Sequence, residues 1–486
     1  MHFLGGWAWV VLLCSVPLAG QTAPEPIKIG SVVVSGSIRS RVENWNWFTP
    51  NSGNPDYTFL GSQARLGFSR GGDGLDWNLE FEVPFLLGLP DNAVAPGAQG
   101  QLGMGASYYV SNDRNRNAAM IYPKQAWMRF KNLFGSSAAS LRVGRFEFMD
   151  GGEVNAKNAT LGVIKRDRVQ QRLIGPFGFT HVMRSFDGLH LVYSKPKINY
   201  TVVAAIPTRG VFQVDGWGWL NTGFIYASAT GQVEAKKHTG EWRLFGIFYD
   251  DWRNAPKQDN RSAAAKAADH GIIQIETFGG HYVHIAETSA GPIDLMVLGA
   301  GQVGKWGVLD QRAGMADFEA GWQPKVLPRL KPWIRGGYFY STGDGNPNDG
   351  QHSTFFQLLP TARPFARFPF FNMMNNTDRF GMLTVRPHKK LTIKTEEHFL
   401  RLTSRDDLWY IGGGAFQPWT FGYQSRSGAG AAGLGTLYDV SGDVTVNPHF
   451  AFTAYWGYCQ GKSVIQSVYP LGKDGHLGFL EFNIKF

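Results

Sequence analysis

The run His476-Leu-Gly-Phe-Leu-Glu-Phe-Asn-Ile-Lys-Phe486 decides how the rest of the chain is read. Leu480, Phe482, Ile484 and Phe486 share one face of an extended strand, and Glu481, Asn483 and Lys485 share the other. A soluble protein seldom ends on a free phenylalanine that closes an alternating strand. A barrel in the outer membrane has a reason to, since its last strand seals the wall and its apolar face meets lipid. An ordinary edge strand of a soluble sheet is the competing reading, so the tail needs support from elsewhere in the chain.

The opposite end supplies it. Phe3 to Val16 is apolar and is followed by Pro17-Leu-Ala-Gly-Gln-Thr-Ala23, small residues suited to cleavage near Ala19, Gly20 or Ala23. Residues 1–23 are therefore expected to be a secretory signal, with only His2 and the amino terminus as its weak basic region. Leu13 before Cys14 disfavours a lipoprotein. The run is too short for a spanning helix, which needs about 20 apolar residues, and no comparable run follows. Any entry into a membrane is expected to be by strands, with residues 24–486 forming one barrel.

Composition agrees. Of the two cysteines, Cys14 leaves with the signal and Cys459 remains alone, so no intramolecular disulfide is expected. Aromatics reach 14% and charged residues only 17% of 486 residues. A mean hydropathy of -0.20 excludes a helical membrane protein but not a wall that averages apolar-out with polar-in. The formal net charge is +9. That suits anionic lipid headgroups or an acidic solute, and export makes nucleic acid the least favoured partner. No linker, composition break or clean repeat divides the chain, and one closed sheet of roughly 18 strands would use its length.

Period-two patterns mark Ser31–Arg41, Tyr57–Arg70, Leu75–Pro84, Pro123–Lys131, Ala139–Phe148, Gly188–Ser194, Ile198–Pro207, Asn221–Thr230 and Glu241–Trp252. They continue at Ile273–Glu287, Pro292–Gln302, Ala313–Trp322, Pro332–Thr342, Arg379–Pro387, Leu391–Leu402, Thr436–Thr445, Pro448–Gln460 and His476–Phe486. Short turns such as Lys195–Lys197, Arg386–Lys390 and Asn447-Pro448 alternate with long polar segments at Leu89–Tyr122, Asn254–His270, Gly343–Asp378 and Thr403–Gly435. Short turns on the periplasmic side and long loops outside are the mark of an outer-membrane barrel. Trp45, Trp47, Trp217, Trp219, Trp252, Trp306, Trp322, Tyr455 and Trp456 are expected in interfacial girdles. The predicted fold class is all-β, a transmembrane antiparallel β-barrel.

Several motifs are set aside. Gly428-Ala-Gly-Ala-Ala-Gly433 lacks the preceding apolar strand and following helix of a dinucleotide site. His281 and His284 point to opposite faces of a strand, so they do not form a metal pair. Asp250-Asp251, Glu396-Glu397 and Asp406-Asp407 are neighbours rather than facing acid/base couples. Asp344, Asn346, Asn348 and Asp349 have oxygen-ligand spacing but no matching glutamate, and a solvated turn is the better reading. No enzymatic motif, cofactor or metal is expected.

Arginines carry the chemistry. Arg65 and Arg129 lie on the polar faces of their strands; Arg145, Arg166, Arg168, Arg172 and Arg184 crowd one stretch; Arg335, Arg379 and Lys394 follow, with Glu396 and His398 on the face of Lys394. A charge on the lipid face costs about 2–4 kcal/mol at mid-depth, so these side chains should turn into the lumen. Guanidinium groups there can grip carboxylates bidentately. A non-specific porin whose arginines merely balance acids is the plainer alternative.

Arg142-Val-Gly-Arg145, Arg172-Leu-Ile-Gly175 and Arg184-Ser-Phe-Asp-Gly188 form one resembling stretch. Gly343-Asp-Gly-Asn-Pro347, Asp349 and Thr354-Phe-Phe-Gln-Leu-Leu-Pro-Thr361 form a second. On these the chain resembles the alginate export porin family. The resemblance implies an 18-stranded barrel with a basic, narrow lumen that passes a polyuronate. It places Arg145, Arg172, Arg184 and Asp187 in the first motif and, more loosely, Arg65 on the second strand. Strict alternation puts Arg145 on the face of Leu141 and Val143, which leaves a bulge at Gly144 or a position beyond the bilayer as alternatives. The expected substrate-contacting set is Arg65, Arg129, Arg145, Arg172, Arg184, Asp187, Arg335 and Lys394. The expected function is passive diffusion of an anionic polysaccharide such as alginate across a Gram-negative outer membrane, with periplasmic export partners. A general anion-preferring porin, or an exported soluble β-rich enzyme acting on acidic polysaccharide, is the alternative.

Overall fold

Alternation of apolar and polar residues over strands of this length leaves a closed sheet as the way to satisfy every backbone group in lipid. The computed structural model describes residues 26–360, 366–412 and 415–486; the expected signal segment lies outside them. The wall is built from β1 (Val32–Asn46), β2 (Asp56–Arg70), β3 (Leu75–Leu87), β4 (Tyr122–Lys131), β5 (Ala139–Phe146), β6 (Phe186–Lys195), β7 (Ile198–Pro207), β8 (Thr222–Ala235) and β9 (His238–Asp251). It continues with β10 (Ile273–Ala286), β11 (Ile293–Trp306), β12 (Leu309–Trp322), β13 (Trp333–Ser341), β14 (Asn376–His388), β15 (Leu391–Leu402), β16 (Gly433–Thr445), β17 (Phe450–Gly461) and β18 (Asp474–Lys485). Each strand pairs antiparallel with its sequence neighbours, and β1 also pairs with β18 from Ser37↔Lys485 to Asn46↔His476, which closes the ring. Among the described residues no helix is long and apolar enough to cross a membrane.

The seam explains the tail. Phe486 and Gly36 exchange backbone hydrogen bonds at 3.0 Å each way. The Phe486 ring lies where a side chain at position 36 would be. An aromatic covering a strand glycine supplies apolar area that the glycine lacks.

Residues 71–74, 132–138, 196–197, 236–237, 389–390 and 446–449 make short turns at one end, while residues 88–121, 147–185, 252–272, 342–375 and 403–432 make long loops at the other. Two connections break the pattern: residues 307–308 are a tight turn on the long-loop side, with Gly307 at φ 62°, and residues 323–332 are long on the short-turn side. Within residues 252–272, Ala263–Ala268 form a short helix capped by Ser262, whose hydroxyl accepts from the Ala265 amide at 3.2 Å.

β9 shows the two faces. Leu244 and Phe248 are exposed to the lipid side, whereas Glu241, Arg243, Phe245, Ile247 and Tyr249 are buried inside. Its inner face is charged toward the short-turn end and aromatic toward the loops. β1 repeats this, with Arg41 and Glu43 followed by Trp45 and, just past the strand, Trp47, and so does β2, with Arg65 followed by Phe59 and Tyr57.

The aromatic tier continues into the loops. Phe355, Phe356, Leu358, Leu359, Phe368 and Phe370 of residues 342–375, with Trp409, Tyr410, Phe416 and Phe421 of residues 403–432, bury themselves against it as one core. The girdle expectation therefore divides. Trp217, Trp219, Trp252, Trp322 and Trp456 are exposed outward, but Trp45, Trp47, Trp306 and Tyr455 point inward and are buried. Folded-in loops give these four rings an apolar core, and three find polar partners for their indole N–H: Trp45 donates to Glu43, Trp47 to Tyr469 and Trp306 to Asp259.

Candidate functional site

Residues 147–185 leave β5 and turn into the barrel, which strand periodicity alone did not foretell. Asn158 caps a helical turn at Ala159–Ile164, its side chain accepting from the Leu161 amide at 3.0 Å. Leu161, Ile164 and Val169 pack on Val283, Ile285, Met296 and Trp333 of the inner wall. The segment then climbs to meet the outer loop, where the Gly175 amide donates to Leu359 O at 2.6 Å and the Leu359 amide to Leu173 O at 2.7 Å.

Its charged residues interlock with the wall. Arg168 Nε donates to Glu319 at 2.7 Å, Arg172 lies 3.2 Å from Asp317, and Arg335 of β13 donates to Glu319 at 2.8 Å and pairs with Asp294. Lys165 reaches Glu241 at 2.6 Å, and Arg243 faces Asp150 at 3.4 Å and Glu153 at 3.5 Å. On the next sector Arg65 sits 2.9 Å from Glu82, 3.1 Å from Glu147 and 3.4 Å from Glu80, with Lys124 beside them. Arg41 pairs with Glu43 and Glu481. Removing one partner from such a buried pair costs about 3–5 kcal/mol, so the pairs made by Glu147, Asp150, Glu153, Lys165, Arg168 and Arg172 fix the segment to the wall.

The sequence-derived candidates thus separate. Arg65, Arg172 and Arg335 are lumenal, buried and ion-paired. Arg129 is inward and half-exposed near the short-turn end, on Asp76. Lys394 is inward and lies 2.9 Å from Glu396. Arg145 and Asp187 are corrected to the outer face. They oppose one another in a regular register with Val143↔Leu189 and Leu141↔Leu191, no bulge shifts it, and their bidentate pair at 2.7 Å sits at the rim beside Trp217 and Trp219. Gly144 takes φ 121° without changing the alternation. Arg379 also faces outward, over Tyr338 at the rim. A charge is tolerated there because headgroups and water are within reach.

Arg184 differs from the rest. It is wholly buried, none of its three guanidinium nitrogens has a hydrogen-bond partner, and no acid lies within ion-pair distance among the described residues. Its flanks are the rings of Phe177 at 5.7 Å and Phe416 at 6.0 Å. Both rings also line a cavity of about 470 Å³ at the loop end, shared with Phe212, Trp419, Phe421 and Tyr423 and, among the described residues, with no charged side chain in its wall. Arg243, Asp294, Asp317 and Glu319 escaped the sequence-based set, although their even spacing on the inner faces of β9, β11 and β12 was available as a signal.

The set-aside motifs are plain structure. Asp344, Asn346 and Asp349 accept backbone amides two residues on, closing successive turns. His281 is buried against Glu241 while His284 faces outward.

A family model described as alginate export matches residues 104–457. The outer membrane protein opdK from Pseudomonas aeruginosa superposes with a TM-score of 0.56 at 9% identity, covering 93% of this chain and 98% of that one. OccAB4 of Acinetobacter baumannii gives 0.55 at 10% identity over 96% and 98%. OccK9 (OpdG) of Pseudomonas aeruginosa gives 0.56 at 10% over 94% and 98%. At these identities the likeness is one of fold. No curated protein matches the chain.

Proposed function

The chain belongs to the alginate export family and is an outer-membrane channel, and from that premise we propose that it passes an anionic polysaccharide, a polyuronate such as alginate, by passive diffusion. The observation that carries this reading is Arg184: a buried guanidinium without a counter-ion is costly, and an incoming carboxylate would satisfy it. Paired arginines below it supply further, weaker stations, since each already shares its charge with a fixed acid and can exchange it for a passing one. Conduction needs that weakness, because a solute must leave each site. Aromatic side chains of the described parts of both outer loops pack together at the loop end, and a passing polymer would have to displace them. Periplasmic partners that deliver polymer belong to this reading, and it assigns the chain no catalytic step.

The extent of charge pairing favours one alternative, a general anion-preferring porin. Current block in planar bilayers separates the two. Polyuronate fragments are expected to block at concentrations where neutral dextrins of equal length do not, and Arg184→Met is expected to weaken that block. Equal block by both polymers would leave only the general porin.

A further inference from the structure

Apart from the paired arginines, the inner wall carries a histidine-centred group on three adjacent strands. Glu396 and His398 are two residues apart on β15 and both point inward; Asp439 of β16 stands directly opposite Glu396. One donor atom from each lies within 4.8 Å of the others, and all three residues are buried. The imidazole is oriented from the far side. His398 Nδ1 lies 2.7 Å from Asp378 of β14, while its Nε2 is buried with no partner. A carboxylate on one ring nitrogen, with the other left free, is how a metal-binding histidine is held.

We propose that Glu396, His398 and Asp439 bind a divalent transition-metal ion of the zinc type, with Asp378 as the positioning residue. Mixed imidazole and carboxylate donors suit zinc and its neighbours rather than calcium or magnesium, which prefer oxygen alone. Bonds of about 2.0–2.2 Å require donor atoms roughly 3.4 Å apart, so the side chains close by about an ångström on binding. Lys394 lies 2.9 Å from Glu396 and Tyr455 donates to Asp439 at 3.3 Å. Lys394 is the competing cation that the ion displaces; its partly exposed side chain marks the route in. Three protein ligands leave a position for water or a solute carboxylate.

The test uses the full mature barrel without a polyhistidine tag, metal-stripped in detergent and titrated with Co²⁺ followed by visible absorption, then with Zn²⁺ by calorimetry. One equivalent should bind with d–d bands of a nitrogen/oxygen site. His398→Gln should abolish them and Asp378→Asn should weaken affinity about 10–100-fold. Lys394→Met should tighten binding, a change that adventitious surface uptake would not show, and heat-modifiable migration confirms each variant's barrel. Absence of stoichiometric uptake by the native chain overturns the proposal. So does uptake indifferent to His398→Gln, or affinity unmoved by both Asp378→Asn and Lys394→Met.

Discussion

Neutralising Glu319 should loosen the segment inside the lumen without opening the wall. Its carboxylate accepts from Arg168 at 2.7 Å and Arg335 at 2.8 Å and has Arg172 at 3.8 Å, all wholly buried. In Glu319→Gln the nearest remaining ion pairs of this group are Arg172 with Asp317 and Arg335 with Asp294. Losing one partner of a buried network costs about 3–5 kcal/mol. Arg168 and Arg172 belong to the inward segment and Glu319 to β12, so that cost falls on the docked arrangement. At 1.4 kcal/mol per tenfold, the released state gains on the order of a hundred- to a few-thousand-fold. The strand pairings of β12 with β11 and β13 involve backbone only and persist. Planar-bilayer recordings should show larger single-channel conductance and more open-state noise, and protease should cut within residues 147–185. A variant that migrates as a folded barrel yet keeps native conductance and protection would refute the tethering argument.

Four further outcomes follow from the same geometry. Arg184→Met should raise thermal stability while weakening polyuronate block, since an apolar side chain replaces a buried charge that has no ion-pair partner among the described residues; a loss of stability with unchanged block contradicts this. Arg145→Ala should leave selectivity unchanged, because its pair with Asp187 lies on the outer rim; a shift in reversal potential would place it in the lumen after all. Asp407 joins the two outer loops, accepting from Thr354 at 2.6 Å, the Asp344 amide at 2.9 Å and Tyr410 at 2.7 Å, and burial raises its carboxyl to about 6. Its protonated form is favoured by the folded loops, so they lose roughly 3 kcal/mol as pH rises from about 4 to 6 and no more above that. Limited proteolysis of the loops should increase over that window and lose this dependence in Asp407→Asn. Gly36→Leu should slow barrel closure by colliding with the Phe486 ring, read as slower appearance of the heat-modifiable form.

The wall was legible because lipid imposes one uniform face. All eighteen strand candidates fall on observed strands, and the terminal run takes the predicted faces, with Leu480 out and Glu481 in on Arg41. Their ends were not legible, and for one reason. Near the loops the inner face turns aromatic, so Trp45 on β1 and Tyr57 on β2 are apolar on a side expected to be polar, and the alternation fades before the strand does. This also sent Trp45, Trp47, Trp306 and Tyr455 to the girdles.

The arginine cluster was visible, but its pairing was not. Arg168 and Glu319 are separated by 151 residues and Arg65 and Glu147 by 82, distances over which no local pattern carries information. The expected lumenal arginines Arg65, Arg172 and Arg335 are members of closed ion pairs, and Arg184 is an exception. Strict alternation put Arg145 on the face of Leu141 and Val143 and left a bulge or a position beyond the bilayer open; the register carries no bulge, so its place in the expected lumenal set is corrected to the outer rim.

Flux of the polymer itself bears most directly on the central claim. Vesicles reconstituted with the barrel and loaded with labelled uronate oligomers should release them faster than neutral oligomers of the same length, and Arg184→Met should narrow the difference. Equal release of charged and neutral oligomers, or retention of both while small ions pass, would contradict an acidic polysaccharide as the solute.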